Sequence, residues 1–404
     1  MTGAPDTRLP VVFIMLTVMI EAIGIGLILP VMPALLQEVR GVGLSQAAIW
    51  GGILASVYAL MQFLFSPTIG NLSDRFGRRP VLLLSMAVIF LDYILMAFAH
   101  TIWLLLLGRI IAGIAAATMS TATAFMADIS APEKKAQNFG LVSAGFGFGF
   151  VLGPAIGGLL AEFGPRAPFW AAALISGLNL VFGLIVLPET LRRKRGFDWR
   201  RANPLGSFLA IRALPGVGGL LIVWFFYQVS NWVYPAIWAY FTPAAFGWNE
   251  RMVGISLAVY GISMVVVQGV LIRFIIPRLG ERRTLKWFIP YNAVILLCVA
   301  FVPNGWLMLA LTPLSALGAI VAPALQGVTS RIASDDQQGE LQGVLASITA
   351  VAAIVSPLLM TRTFNLATSG TTFFPGAPFL VASALMAVSW ALYRRQDVPA
   401  KAAV

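Results

Sequence analysis

The 404-residue chain is 59% hydrophobic and only 11% charged, with a mean hydropathy of +0.87. A soluble domain is about a quarter charged, so this chain cannot clothe a water-facing surface, and a soluble globular enzyme is excluded. The formal charge of +11 would suggest nucleic acid in a soluble protein. Here the basic residues sit in short segments between apolar runs, which points to orientation in a bilayer and not to a nucleic-acid partner. One histidine, His100, and one cysteine, Cys298, allow no intrachain disulfide and argue against a metal site or a His-based triad.

Crossing the hydrocarbon takes roughly 20 apolar residues. In chain order the runs place predicted spans at about 10–35, 47–69, 80–99, 102–127, 138–161, 168–188, 215–241, 251–275, 285–302, 306–329, 340–363 and 376–393. The first run is too long for a removable signal, contains Glu21 and lacks a small-residue cleavage site. Twelve spans put both termini on one side. If that side is cytoplasmic, the cytoplasmic segments hold 22 of the 27 Lys and Arg residues. The opposite side keeps Arg40, Arg166, Arg251 and Arg362, and Arg109 falls within a span. This is the bias that positive-inside topology demands.

Glu189 to Arg212 is the longest polar stretch and contains Arg192-Arg193-Lys194-Arg195. It reads as a solvated basic linker in preference to an anionic-lipid site. Residues 1–188 and 214–404 are then two six-span bundles joined by 189–213. A repeat supports the division: Gly77 and Gly280, Gly140 and Gly343, and Pro154 and Pro357 are each 203 residues apart in similar local sequence. The expected fold is an all-α membrane protein of twelve helices in two pseudo-repeats, spans 1, 4, 7 and 10 lining a central path.

Three motifs carry chemistry. The segment after span 2 reads Gly70-Asn71-Leu72-Ser73-Asp74-Arg75-Phe76-Gly77-Arg78-Arg79-Pro80. Gly70 would allow close helix approach, and Asp74 near a helix end can be satisfied by Arg78 and backbone N–H groups. Asp128, at the end of span 4, suits a salt bridge to this gating segment. In span 5, Gly145, Gly149, Gly153 and Gly157 recur every four residues, with Pro154 and Gly158 among them. Such a stripe packs tightly, and the proline frees a carbonyl and bends the helix. In span 4, Arg109 precedes Gly113; an intramembrane charge is costly and usually functional.

The Gly70–Pro80 segment resembles the signature of the major facilitator superfamily, and the span 5 stripe resembles its antiporter motif. Tyr58 to Ser85, Pro323-Ala324-Leu325-Gln326-Gly327, Gly24 to Pro30 and Leu91-Asp92-Tyr93 narrow the resemblance to the bacterial tetracycline-efflux proteins. That resemblance implies exchange of an outgoing metal–tetracycline cation for an incoming proton, across a bacterial inner membrane, by a cofactor-free monomer. The chain departs from those pumps at Phe288 to Ala293, where their span 9 acid is absent. It also has Met264 in place of a histidine and Glu21 in place of an aspartate.

Glu21 and Asp92 are the acids lying well inside spans. A carboxyl there, alone or with Arg109, suits a group alternating between proton and cation. Polar and aromatic candidates for a large amphipathic substrate are Gln62, Phe146, Tyr227, Gln228, Asn231, Trp232, Gln268, Asn292 and Gln326. The expected function is proton-coupled export of a small amphipathic compound by alternating access. The alternative is a uniporter or importer of a metabolite or lipid.

Overall fold

The computed structural model describes residues 8–116, 118–191, 196–198, 203–206, 216–334 and 337–396. Arg192 to Arg195, Arg200, Arg201 and Arg212, the basis of the linker reading, lie outside them. The described helices are α1 (Arg8–Ile28), α2 (Met32–Arg40), α3 (Leu44–Phe76), α4 (Arg78–Phe98), α5 (Ile102–Ala115), α6 (Thr118–Ile129), α7 (Lys135–Leu160) and α8 (Ala167–Val186). In the second half they are α9 (Gly218–Asn231), α10 (Val233–Phe246), α11 (Glu250–Val266), α12 (Ile272–Leu279), α13 (Glu281–Phe301), α14 (Gly305–Ala316), α15 (Val321–Ile332), α16 (Gln338–Thr368) and α17 (Ala377–Arg394). No strand occurs among the described residues.

Among the described residues, eleven helices or joined helix pairs are long and apolar enough to cross a membrane. The remaining crossing, span 4, is split into α5 and α6. Its split has counterparts in spans 1, 7 and 10. Span 1 stops at Ile28, ahead of Pro30, and resumes as α2; span 7 breaks at Trp232; span 10 passes through a 3-10 turn over Leu317–Ile320. Every third span is thus interrupted, as is span 8 at a π-turn over Val267–Leu271, and interrupted helices expose backbone groups where a substrate path needs them.

Local sequence explains the repeat of these elements. Thr101 accepts a hydrogen bond from the Leu104 N–H to start α5, and Asn304, 203 residues later, accepts one from Leu307 to start α14. Gly77 and Gly280 separate spans 2 from 3 and 8 from 9, with φ of 118° and 75°, a region that disfavours any side chain.

Two boundaries differ from the sequence expectation. Span 1 does not run on to residue 35, because Pro30 cannot donate to an uninterrupted helix. The gating segment is not a loop: Gly70 to Phe76 continue α3, and only Gly77 turns the chain into α4.

The two halves meet chiefly at the end away from Gly77 and Gly280. There Ser45 Oγ lies 2.6 Å from Thr368 Oγ1, and Ser56 donates to the Ile354 carbonyl at 2.7 Å. Gly52 faces the Pro357 carbonyl, and Gly254 faces the Pro154 carbonyl. Spans 2 and 11 therefore cross as spans 8 and 5 do, each crossing pairing a glycine with a proline carbonyl. Arg251 closes the same end on Glu162 at 3.2 Å.

Candidate translocation and coupling site

Asp92 on α4 and Arg109 on α5 form an ion pair at 2.9 Å, with side chains 2% and 14% exposed. Gly108 makes room for it, since a Cβ there would come within 2.6 Å of Asp92 Oδ1. The guanidinium also lies 5.7 Å from the Tyr58 ring centroid, a cation–π distance. The pair is one-pronged. Asp92 Oδ1 and Arg109 Nε have no hydrogen-bond partner, so both ions are buried with bonding capacity left over. Such a pair is held together by the cost of leaving either charge alone, and it can exchange a partner for a ligand.

Glu21 does not join this pair. It lines a cavity of about 20 Å³ with Thr17 and Ile20 of α1, Met86 and Ile89 of α4, and Ser176 and Asn179 of α8. Its Oε2 is fully shielded and has no partner.

The gating segment closes on its own half. Arg78 binds Asp74 at 2.7 Å and Asp128 at 3.3 Å and donates to Ser73 Oγ at 2.6 Å. Arg79 donates to the Leu184 carbonyl at 2.9 Å, and Arg75 lies 5.2 Å from the Phe76 ring centroid. A residue absent from the sequence expectation, Glu189, accepts the Arg78 and Arg79 backbone N–H groups at 3.0 and 3.3 Å. Its carboxylate caps α4 where the helix dipole and open N–H groups favour an anion. A lone acid just after span 6, ahead of a basic run, was the available signal. One expectation is corrected here. A Cβ on Gly70 would meet nothing within 4 Å, so Gly70 makes no close helix approach. Asp74 makes its ion pair with Arg78.

The glycine stripe packs in two directions. Gly145, Gly149, Gly153 and Gly157 face the α1 backbone at Met15, Met19, Ile23 and Leu27. Gly158 faces Glu250, Arg251 and Gly254 on α11, in the second half. Pro154 does both, its ring against Gly26 and its carbonyl against Gly254. A single motif therefore sets span 5 against span 1 and against span 8.

The predicted substrate residues do not form one cluster. Gln62 donates to the Ala116 carbonyl at 3.4 Å and Tyr227 to the Gly318 carbonyl at 3.5 Å, satisfying backbone exposed at the breaks in spans 4 and 10. Asn292 is 1% exposed, lies against Gly318, and has an unpartnered amide nitrogen. Gln228 donates to Thr349 at 2.8 Å, and Gln326 to Gln342 at 2.7 Å. Phe146 stacks on Phe150 at 6.2 Å. Asn231 and Trp232 flank the span 7 break, and Gln268 is exposed on a π-turn over Val267–Leu271. Sequence order could not separate groups that repair broken helices from groups left free. Among the described residues no cluster of His, Cys, Asp and Glu could hold a metal.

Interrupted spans, a buried ion pair and helix crossings between the two halves define a multi-pass membrane transporter. The chain belongs to the Major Facilitator Superfamily, whose model matches residues 14–357 and again 219–404. It is 41% identical to the class C tetracycline resistance protein of Escherichia coli, over 94% of this chain and 95% of that protein. The crystal structure of the human organic anion transporter MFSD10 superposes with a TM-score of 0.70 at 25% identity, covering 96% of this chain and 100% of that one. An inward-facing, occupied bacterial homologue of the human lysosomal transporter Spinster gives 0.77 at 16% identity, covering 97% of each chain, a likeness of fold alone.

Proposed function

We propose that the protein exports tetracycline, carried as a metal-chelated cation, in exchange for protons across a bacterial inner membrane. The observation that carries this reading is the Asp92–Arg109 pair, buried yet with an unmatched carboxylate oxygen. A cationic substrate or a proton competes with Arg109 for Asp92, so binding one disfavours the other. The name of the 41%-identical relative supports the substrate.

In this reading residues 1–188 and 214–404 are the two moving bundles, and 189–213 joins them in the cytoplasm with both termini. The end holding Gly77 and Gly280 is cytoplasmic, as the arginine bias requires. The seal between Ser45 and Thr368 is then the outer gate, and the path opens inward. Gly70, Asp74, Arg75, Gly77, Arg78, Arg79 and Asp128 form the inner gate; Gly149, Gly153, Pro154, Gly157 and Gly158 form the pivot. Asn231, Trp232 and Asn292 supply substrate contacts from the second half. The protein works as a monomer.

One observation favours uniport or import instead: Phe288 to Ala293 carries no acid, and Asn292 there cannot ionise. Cells expressing the protein should accumulate less tetracycline than cells lacking it, and adding tetracycline with Mg²⁺ to the purified protein should release protons. Equal accumulation in the two cell lines would exclude tetracycline export. Reduced accumulation without proton release would support transport without exchange.

A further inference from the structure

Tyr58 reaches the Asp92–Arg109 pair from α3, and two contacts between α3 and α5 fix where its ring sits. A Cβ on Gly113 would come within 2.6 Å of the Tyr58 carbonyl oxygen and 2.7 Å of Met61 Cβ, so α5 lies directly on α3 one turn after Arg109. Gln62, one turn after Tyr58, donates to the Ala116 carbonyl at the break in span 4. The two helices are thereby held so that the Arg109 guanidinium carbon stands over the Tyr58 ring, 5.7 Å from its centroid.

The second half keeps the ring without the charge. The π-turn over Val267–Leu271 adds one residue to span 8, as π-bulges do. Positions ahead of it therefore match the first half at an offset of 202: Gly52 corresponds to Gly254, and Tyr58 to Tyr260. Beyond it the offset is 203, so Ile295 and Thr312 stand where Asp92 and Arg109 stand. Tyr260 stacks on Tyr234 at 5.5 Å instead. Helix packing alone would ask the same of both rings, yet the first half sets a cation over its ring.

The titratable groups within electrostatic reach of one another here are Glu21 on α1, Tyr58 on α3, Asp92 and Tyr93 on α4, and Arg109 on α5. Arg109 makes its ion pair with Asp92 through Nη2, and its Nε has no hydrogen-bond partner. Once a proton or a substrate cation takes Asp92, Arg109 is a buried charge that has lost its counter-ion, a costly state. An aromatic face attracts a cation without carrying a charge itself, so it steadies the guanidinium and leaves Asp92 free to change partner.

We propose that Tyr58 is a positioning residue of the coupling site, its ring face holding Arg109 in place while Asp92 is occupied by a proton or a substrate cation. The inference rests on the proton-exchange reading of the ion pair. Tyr58 acts through Arg109 and exchanges no proton itself.

The test is thermal melting of the purified full chain in detergent, with Asp92→Asn standing in for the occupied carboxyl. Tyr58→Leu should lower the melting temperature roughly twice as far in the Asp92→Asn background as in the unsubstituted protein, because a cation–π contact strengthens when the cation has less other company. In the Asp92→Asn, Arg109→Gln background that extra loss should vanish. Tyr58→Phe, which keeps the ring face, should recover what Tyr58→Leu loses. Adding one and then three fluorines to that phenyl ring withdraws charge from its face at nearly constant shape. Melting should then fall stepwise in Asp92→Asn and stay level once Arg109→Gln is added. Tyr260→Leu is the packing control and should cost the same in all three backgrounds. Equal losses for Tyr58→Leu in the three backgrounds, or no fall on fluorination, overturn the proposal. If Tyr58→Leu does not fold together with Asp92→Asn, the fluorinated series decides. Proton exchange is read separately, from gradient-driven uptake by the unsubstituted protein in vesicles. Absent uptake with the melting pattern intact would remove the exchange reading and leave the hold of Tyr58 on Arg109 in place.

Discussion

At Asp92 one carboxylate oxygen is paired and the other is not, and substitution should expose that asymmetry. Asp92→Asn strands a charged Arg109 in a low-dielectric span; breaking a buried pair this way costs about 3–5 kcal/mol. We expect a clear drop in thermal stability in detergent and loss of driven transport. The double variant Asp92→Asn, Arg109→Gln should recover much of the stability and none of the transport. Unchanged melting of Asp92→Asn would show that the pair is not held in this geometry. Gly77→Ala tests the turn between spans 2 and 3. Its φ of 118° disfavours a side chain by about 1–3 kcal/mol, and a Cβ there would strike the Glu189 carboxylate. Less protein reaching the membrane, with a lower melting temperature, is the expected outcome; wild-type levels and melting would contradict the contact.

The helices carry their logic in pairs 203 residues apart. Arg78 and Asp128 bind at 3.3 Å in the first half; at the matching positions Glu281 and Arg331 bind at 2.8 Å with the signs reversed. The first pair is braced by Asp74, Ser73 and the Glu189 cap, whereas Arg331 is 74% exposed. Exposed pairs contribute little, so Arg331→Ala should change melting and transport only slightly, while Arg78→Ala should disable transport. Equal effects of the two would mean the gates are equally braced. The span 5 stripe should be less forgiving still. Gly153→Leu forces a side chain into the α1 backbone at Ile23 and Gly26, and overpacking of this kind costs about 1–3 kcal/mol or more.

Much of this level was legible beforehand, because span length, arginine bias and the 203-residue repeat are chain-order signals. Pro30 and Gly77 also act locally: α1 stops ahead of Pro30, and α3 runs as helix up to Gly77. The site was less legible. Glu189 caps α4 from 111 residues away, and Gln62 and Tyr227 serve broken helices elsewhere in the chain. Such pairings depend on three-dimensional packing that residue types alone do not encode.

The two halves are joined at one end by contacts such as Ser45–Thr368, while Gly70, at the other end, faces open space. Alternating access requires the seal to break. With Cys298 replaced by Ser, a disulfide between Ser45→Cys and Thr368→Cys should arrest transport, and reduction should restore it. Full transport by the cross-linked protein would show that this end does not open.

Proton-coupled export itself is read most directly in inside-out membrane vesicles with an imposed inward-acid pH gradient. The protein should drive tetracycline uptake with Mg²⁺ present, collapse of the gradient should stop it, and Asp92→Asn should abolish driven uptake while retaining some downhill exchange. Uptake that persists without the gradient, or that is undiminished in Asp92→Asn, would contradict proton exchange at the first-half ion pair.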